Sequence, residues 1–185
     1  HDTQYPAGSR VLEAGCGVGA QTVILAARSP RAHITSIDVS LTSLAAARRA
    51  VEAAGLANVT FEQADIFALP FPAASFDHVF VCFVLEHLAR PLDALACLLA
   101  VLKPGGSLTV IEGDHESAYY HPRSQRAQRT IDCLIEVQAR LGGDSLIGRR
   151  LYPLLRQAGL CDMHVEPRVV YADASRPAWV EGFTR

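Results

Sequence analysis

Along the first hundred residues the hydrophobic pattern switches between strand and helix periods. Residues 11–13 (VLE) open an apolar strand, glycines follow at positions 15, 17 and 19, and residues 19–28 read as a helix. Residues 33–38 alternate weakly and carry β-branched Ile34, Thr35 and Ile37, which predicts a second strand. Ser40 can cap the next helix. In that helix Leu41, Leu44, Val51 and Ala54 share one face, Arg48, Arg49 and Glu52 the other, and Gly55 supplies a stop. Residues 59–63 form a third strand and residues 65–75 a loop with Pro70 and Pro72. Residues 76–83 are apolar apart from Asp77 and His78, the mark of a strand buried on both faces. Pro91 suits a first helical turn. Leu92, Leu95, Leu99 and Leu102 then repeat at helical spacing as a core stripe, until the sequence KPGG at 103–106. Residues 107–111 are a fifth strand. This alternation predicts an α/β domain with a doubly wound, mostly parallel sheet and right-handed crossovers.

After Gly113 the pattern changes. Residues 114–123 are polar and aromatic. Residues 124–141 form a long helix with Ile131, Leu134, Ile135, Gln138 and Leu141 along one side, broken by Gly142 and Gly143. A short helix is expected over 151–158, another strand over 164–171 and a further helix after Pro177, with Trp179 and Phe183 as packing residues. The stretch 114–150 is therefore an insertion over the carboxyl edge of the sheet, where ligands bind in open α/β folds. A length of 185 residues fits one domain, spanning 1–185. The glycine turn comes close to the start and the last residues stop inside a helix, so truncation at both ends is expected.

Composition narrows the partners. Half the residues are hydrophobic, 19% are charged, and the net charge is −2 without a basic run. That argues against a nucleic-acid surface. No apolar run approaches the ~20 residues that cross a bilayer, so no membrane partner is expected. Cys16, Cys82, Cys97, Cys133 and Cys161 are odd in number and form no CxxC pair. They read as reduced thiols in a cytoplasmic protein, with neither a disulfide frame nor a zinc site.

The glycine turn is the first candidate for chemistry. Without Cβ atoms a ligand can lie against the backbone, and the following helix offers N–H groups to it. The pattern Gly15-x-Gly17-x-x-Ala20 also satisfies a dinucleotide fingerprint. Asp38, about twenty residues on, can accept from two ribose hydroxyls of any adenosine cofactor. Three features separate the alternatives. Glu13 ends strand one, where a carboxylate repels a pyrophosphate but suits an ammonium group. Asp65 follows strand three, placed to accept from an adenine amino group. Only one mononucleotide-binding half precedes the insertion.

Five segments together resemble the class I S-adenosylmethionine (SAM)-dependent methyltransferases, in the group that includes the ubiquinone and menaquinone biosynthesis C-methyltransferases. They are VLEAGCGVG at 11–19, SIDVS at 36–40, QADIFALPF at 63–71, FDHVFVCFVLEHL at 76–88 and LKPGGSL at 102–108. The likeness covers residues 10–113. It implies a Rossmann-like fold and SAM as cofactor. By that likeness Glu13, Gly15, Cys16 and Gly17 line the methionine end, and Asp38 takes the ribose. Val39 packs on adenine, Asp65 binds its amino group, and Ile66 offers a backbone N–H. Cys82 and Phe83 lie beside the methionyl group, with His87 close by. A last antiparallel strand that the family also implies is not legible before Arg185.

The acceptor side is less determined. Asp114-His115-Glu116 closes strand five at the active edge, and His115 is a candidate base or substrate contact. Adjacent loop residues seldom converge on one ion, so no metal is expected. His87 is a second candidate, balanced against a structural role. Tyr119 and Tyr120 could wall a substrate or pack the insertion. The expected reaction is methyl transfer to a small-molecule acceptor at oxygen, nitrogen or carbon. The alternatives are an NAD-linked oxidoreductase and a non-catalytic SAM-binding adaptor.

Overall fold

A computed structural model describes residues 2–184, with side chains to Glu181. Five parallel strands form one sheet in the order β3-β2-β1-β4-β5. They are β1 (Arg10–Ala14), β2 (His33–Asp38), β3 (Val59–Gln63), β4 (Phe76–Cys82) and β5 (Leu102–Ile111). Helices α1 (Ala20–Arg28), α2 (Leu41–Ala53) and α3 (Pro91–Val101) make the crossovers. Beyond β5 lie α4 (Gln125–Arg140), α5 (Leu151–Gln157) and α6 (Pro177–Thr184).

The central strands carry the apolar runs because both of their faces are covered. Val11, Leu12 and Ala14 of β1 and Val79, Phe80 and Val81 of β4 are almost fully buried. Each such large side chain contributes on the order of 1.5–3 kcal/mol relative to exposure. The chain runs outward through β1, β2 and β3, then returns to pair β4 with the other side of β1. Glu13 pairs with Ser36 on one side and Phe80 on the other, so this reversal opens at the carboxyl end of β1.

Several boundaries differ from the sequence pattern. In α2 the buried face is Leu44, Ala47 and Val51, while Leu41 and Ala54 are exposed. In α3 it is Ala94, Leu95, Leu98 and Val101, and Leu102 already belongs to β5. β4 ends one residue early, because Phe83 turns to φ 56°. Strand β5 starts at Leu102, with an irregularity opposite Phe76 and His78 that absorbs the proline and glycines. The strand expected over 164–171 does not form. These residues are irregular and largely exposed, and Arg168 instead bonds Glu166 and Asp2. β-Branched residues make a strand only against a neighbour, and none is in register here among the described residues. Trp179 stays about half exposed beneath the Arg176 guanidinium, and the side chain of Phe183 lies outside the described residues.

The first crossover needs small residues. Gly19 has φ 86°, and a Cβ there would lie 2.7 Å from the Ala47 Cα of α2. Gly17 also has positive φ, but a Cβ would meet nothing within 4 Å. Gly19→Ala is therefore expected to cost roughly 2–5 kcal/mol, the sum of a left-handed backbone penalty and overpacking. Gly17→Ala should cost only the first part, roughly 1–2 kcal/mol. Urea unfolding of both variants measures the difference.

Candidate active site

A cleft of about 230 Å³ opens where the strand order reverses. Its walls include Glu13, Gly15, Cys16 and Gly17 from the end of β1 and its turn. Cys82 and Phe83 come from the end of β4, and Gln21 from α1. Six of the ten residues assigned by sequence to a cofactor thus meet in one cavity.

Glu13 is the chemical centre of this cleft. It is almost fully buried, and its Oε2 accepts from the Ser36 hydroxyl at 2.5 Å. Burial raises its pKa, and the Ser36 hydrogen bond works against that. No salt bridge to it forms among the described residues. A buried carboxylate without a paired cation is costly, and this one borders the cleft.

The glycine turn presents fewer free donors than its sequence suggests. Gly15 N and Cys16 N both donate to Ile37 O, at 2.9 and 3.0 Å. Gly17 N donates to Asp38 Oδ2 at 2.9 Å, and Gly19 N to Cys16 O at 3.0 Å. Those four amides are engaged within the protein. The turn is therefore a smooth floor more than an anion cradle. Asp38 also takes Ser40 N on Oδ1 at 2.9 Å, so its carboxylate ties the glycine turn to the start of α2. Each oxygen still has a lone-pair direction for a hydroxyl donor.

Asp38, Val39, Asp65 and Ile66 do not line the cleft and lie at the ends of β2 and β3 along the same sheet edge. Val39 is well exposed, and its carbonyl accepts from the Gln63 amide. Asp65 Oδ1 accepts from Phe67 N at 2.9 Å and starts a single helical turn in which Ile66 is buried. Burial pushes the thiols of Cys16 and Cys82 up to about 12, so both stay neutral near pH 7.

On the other side of Phe83, a turn at 84–88 gathers the remaining candidates. Glu86 is buried, with Oε2 3.2 Å from His115 Nε2 and Oε1 3.5 Å from His87 Nε2. His115 is half-buried and His87 mostly exposed. Asp114 and Glu116, its neighbours in sequence, turn away. Both are held by Arg149, at 2.7 Å and 2.6 Å, and that guanidinium lowers the pKa of Asp114. Among the described residues no group of three or more His, Cys, Asp or Glu could hold a metal ion. Tyr120 folds back on Ser124 O and Gln128, while Tyr119 is 96% exposed.

Three residues escaped the sequence reading as site members. Ser36 neutralises part of the cost of Glu13. Glu86 lies unremarked inside the 76–88 segment. Glu112 accepts from the amides of Val84, Leu85 and Glu86. Its one legible signal is an acid directly after the last crossover strand, at the carboxyl edge.

The methyltransferase domain family matches residues 11–106, just over half of the chain. The chain belongs to that family. A demethylmenaquinone methyltransferase of Thermus thermophilus is 42% identical to this methyltransferase domain over 106 residues, 57% of this chain and 48% of that protein. Among solved structures, a SAM-dependent methyltransferase from Aquifex aeolicus superposes with TM-score 0.63 at 23% identity. That match covers 83% of this chain and 72% of the other, and shows the shared Rossmann-like fold. The cyclase SpnF superposes with TM-score 0.61 at 28% identity, over 82% of this chain and 52% of its own. The methyltransferase domain spans about half the length of the curated relatives it matches. No described helix is long and apolar enough to cross a membrane.

Glu13 also makes stability depend on pH. Its folded pKa is raised, so the folded state holds its proton more tightly than the unfolded chain, and its share of stability falls as pH rises. Removing the Ser36 hydroxyl should enlarge that fall. Ser36→Ala is expected to cost roughly 1.5–3 kcal/mol at pH 8 and clearly less at pH 5. Denaturant midpoints at the two pH values read this directly.

Proposed function

We propose that this protein transfers a methyl group from SAM to a small-molecule acceptor. The observation that carries the proposal is the buried Glu13 carboxylate. It borders a cleft at the strand-order reversal with no cation of its own, over a turn whose amides are already engaged. That environment suits the ammonium of an aminoacyl chain and opposes a pyrophosphate, which argues against an NAD-linked reading.

The bound cofactor would supply an electrophilic methyl group on a sulfonium. The protein's own part is alignment. Gly15, Cys16 and Gly17 form a floor for the methionyl chain, and Glu13 faces its ammonium. Asp38 accepts from the ribose hydroxyls, while Val39 packs on the adenine. Asp65 and the Ile66 N–H read the adenine edge. Neutral Cys82 and exposed Phe83 border the methionyl end. Well-oriented reactants lower the barrier by roughly 7–11 kcal/mol, so alignment alone suffices for much of the rate.

The insertion 114–150 contributes the acceptor side. Its C-terminal end is tied to the turn after β4 and to the end of β5 by Asp144 N to Glu86 O and Gly148 N to Gly113 O, at 2.8 and 3.0 Å. His115 is the acceptor-side base, oriented by Glu86, which faces the charge that a transferred proton would bring. His87 shares the same carboxylate from its exposed side. The acceptor atom is oxygen, nitrogen or carbon. Five unpaired cysteines support a reducing, cytoplasmic setting.

The likeness to a cyclase is a reminder that this fold alone does not name a reaction. Calorimetry with SAM, its demethylated product and NAD tests the proposal: the first two should bind and NAD should not. Asp38→Ala should weaken product binding by roughly 1.5–3 kcal/mol for each charge-assisted hydrogen bond lost. A folded variant with unchanged affinity would sink the ribose assignment.

A further inference from the structure

We propose that Glu112 is the positioning residue of this site: its carboxylate clamps the turn at residues 84–86 through three backbone amides. The consequence for ligand binding rests on the methyl-transfer reading, whereas the clamp itself rests on geometry alone.

Glu112 Oε1 accepts from Val84 N at 3.0 Å and Leu85 N at 2.8 Å, and Oε2 from Glu86 N at 3.3 Å. One residue earlier, Phe83 N donates to Ile111 O at 2.8 Å. The end of β5 thus takes four successive amides. The turn needs such outside acceptors, because Phe83 sits at φ 56°, where a side chain is unfavourable.

Both halves of the site hang on this turn. Phe83 lines the cleft. Val84 lies on the glycine floor so closely that a Cβ on Gly15 would be 2.5 Å from its Cγ2. Glu86 holds His115 through its side chain. Its carbonyl accepts from Asp144 N at 2.8 Å and Gln138 Nε2 at 3.0 Å, which docks the insertion. A shift of the turn would therefore move the cofactor wall and the acceptor side together.

Only the ionised form accepts from all three amides without presenting a hydroxyl to one of them. Burial raises the Glu112 pKa to about 7, the three amides pull it down, and the Glu86 charge adds to the rise. The three hydrogen bonds therefore offset part of the cost of burying this carboxylate. The groups facing it are neutral Cys82 from β4 and Glu86 from the turn, with His115 and His87 behind Glu86. On the insertion side Gly148 backs onto the main chain of Glu112 and Gly113, and Arg149 is occupied by Asp114 and Glu116.

Amide hydrogen exchange by NMR on the ligand-free protein, corrected for intrinsic rates, tests the clamp. Protection of Val84, Leu85 and Glu86 should be about tenfold lower in Glu112→Gln than in the wild type, the equivalent of one charge-assisted bond, with core amides such as Leu12 unchanged. In parallel, affinity for S-adenosylhomocysteine should be about tenfold weaker in Glu112→Gln. Turn protection that ignores the substitution would overturn the proposal. If Glu112→Gln does not fold, wild-type exchange decides: protection of the three amides no greater than that of exposed loop amides would overturn it. A wild type that binds no S-adenosylhomocysteine would reject the methyl-transfer reading, while the exchange data would still decide the clamp.

Discussion

The hydrogen-bond ladders on the two sides of β1 govern the rest of this molecule. β2 and β4 pair with the same strand from opposite sides, in parallel registers that both include Glu13. Parallel pairing requires long crossovers, which place α1, α2 and α3 on the faces of the sheet and bury β1 from Val11 onward. The reversal in strand order leaves an opening at the carboxyl end of that strand. A carboxylate at its penultimate position is thereby sealed among apolar side chains with only one face toward the cavity. Ser36, one strand away in register, is the neighbour that makes this tolerable.

From that opening, two acidic residues distribute the organisation outward. Asp38, at the end of β2, holds the glycine turn through Gly17 N and the start of α2 through Ser40 N. Glu112, just past β5, holds the turn after β4 through three amides. Backbone groups in turns have no ladder partner of their own, and buried ones must find one. Carboxylates at the strand ends meet that need and leave the cleft walls stiff. Phe83 can then be exposed at the rim in an unfavourable backbone conformation, because its neighbours are tied down.

The first hundred residues were legible because their two periods differ so clearly. The first four strands lie within one residue of their expected limits, β5 starts five residues earlier, and Glu13, Gly15, Cys16, Gly17, Cys82 and Phe83 meet in one cleft. Helix faces were less legible. Ala47 is buried against Gly19 of the glycine turn and Ala94 within the main core, placements that no hydrophobicity pattern reports. The segment 164–171 looked like a strand by composition, but strand formation requires a neighbour that composition does not contain. Asp114, His115 and Glu116 looked like a cluster, yet Arg149 draws away the two acids and Glu86 holds the imidazole.

By itself the sequence determined the order of strands and helices, the glycine turn and the acids at three strand ends. These depend on local periodicity, on backbone freedom and on where apolar runs stop. The tertiary structure alone decided which of these groups meet. Sequence neighbours 114–116 point to different partners, whereas Glu86 and His115, 29 positions apart, touch. It also decided that the glycine turn's amides face inward to Ile37 and Asp38, and that Glu112 closes on the turn opposite. Hydrogen bonds and ion pairs are satisfied by whatever the fold brings near, and that proximity is set by strand register and crossover geometry, not by any residue's own chemistry.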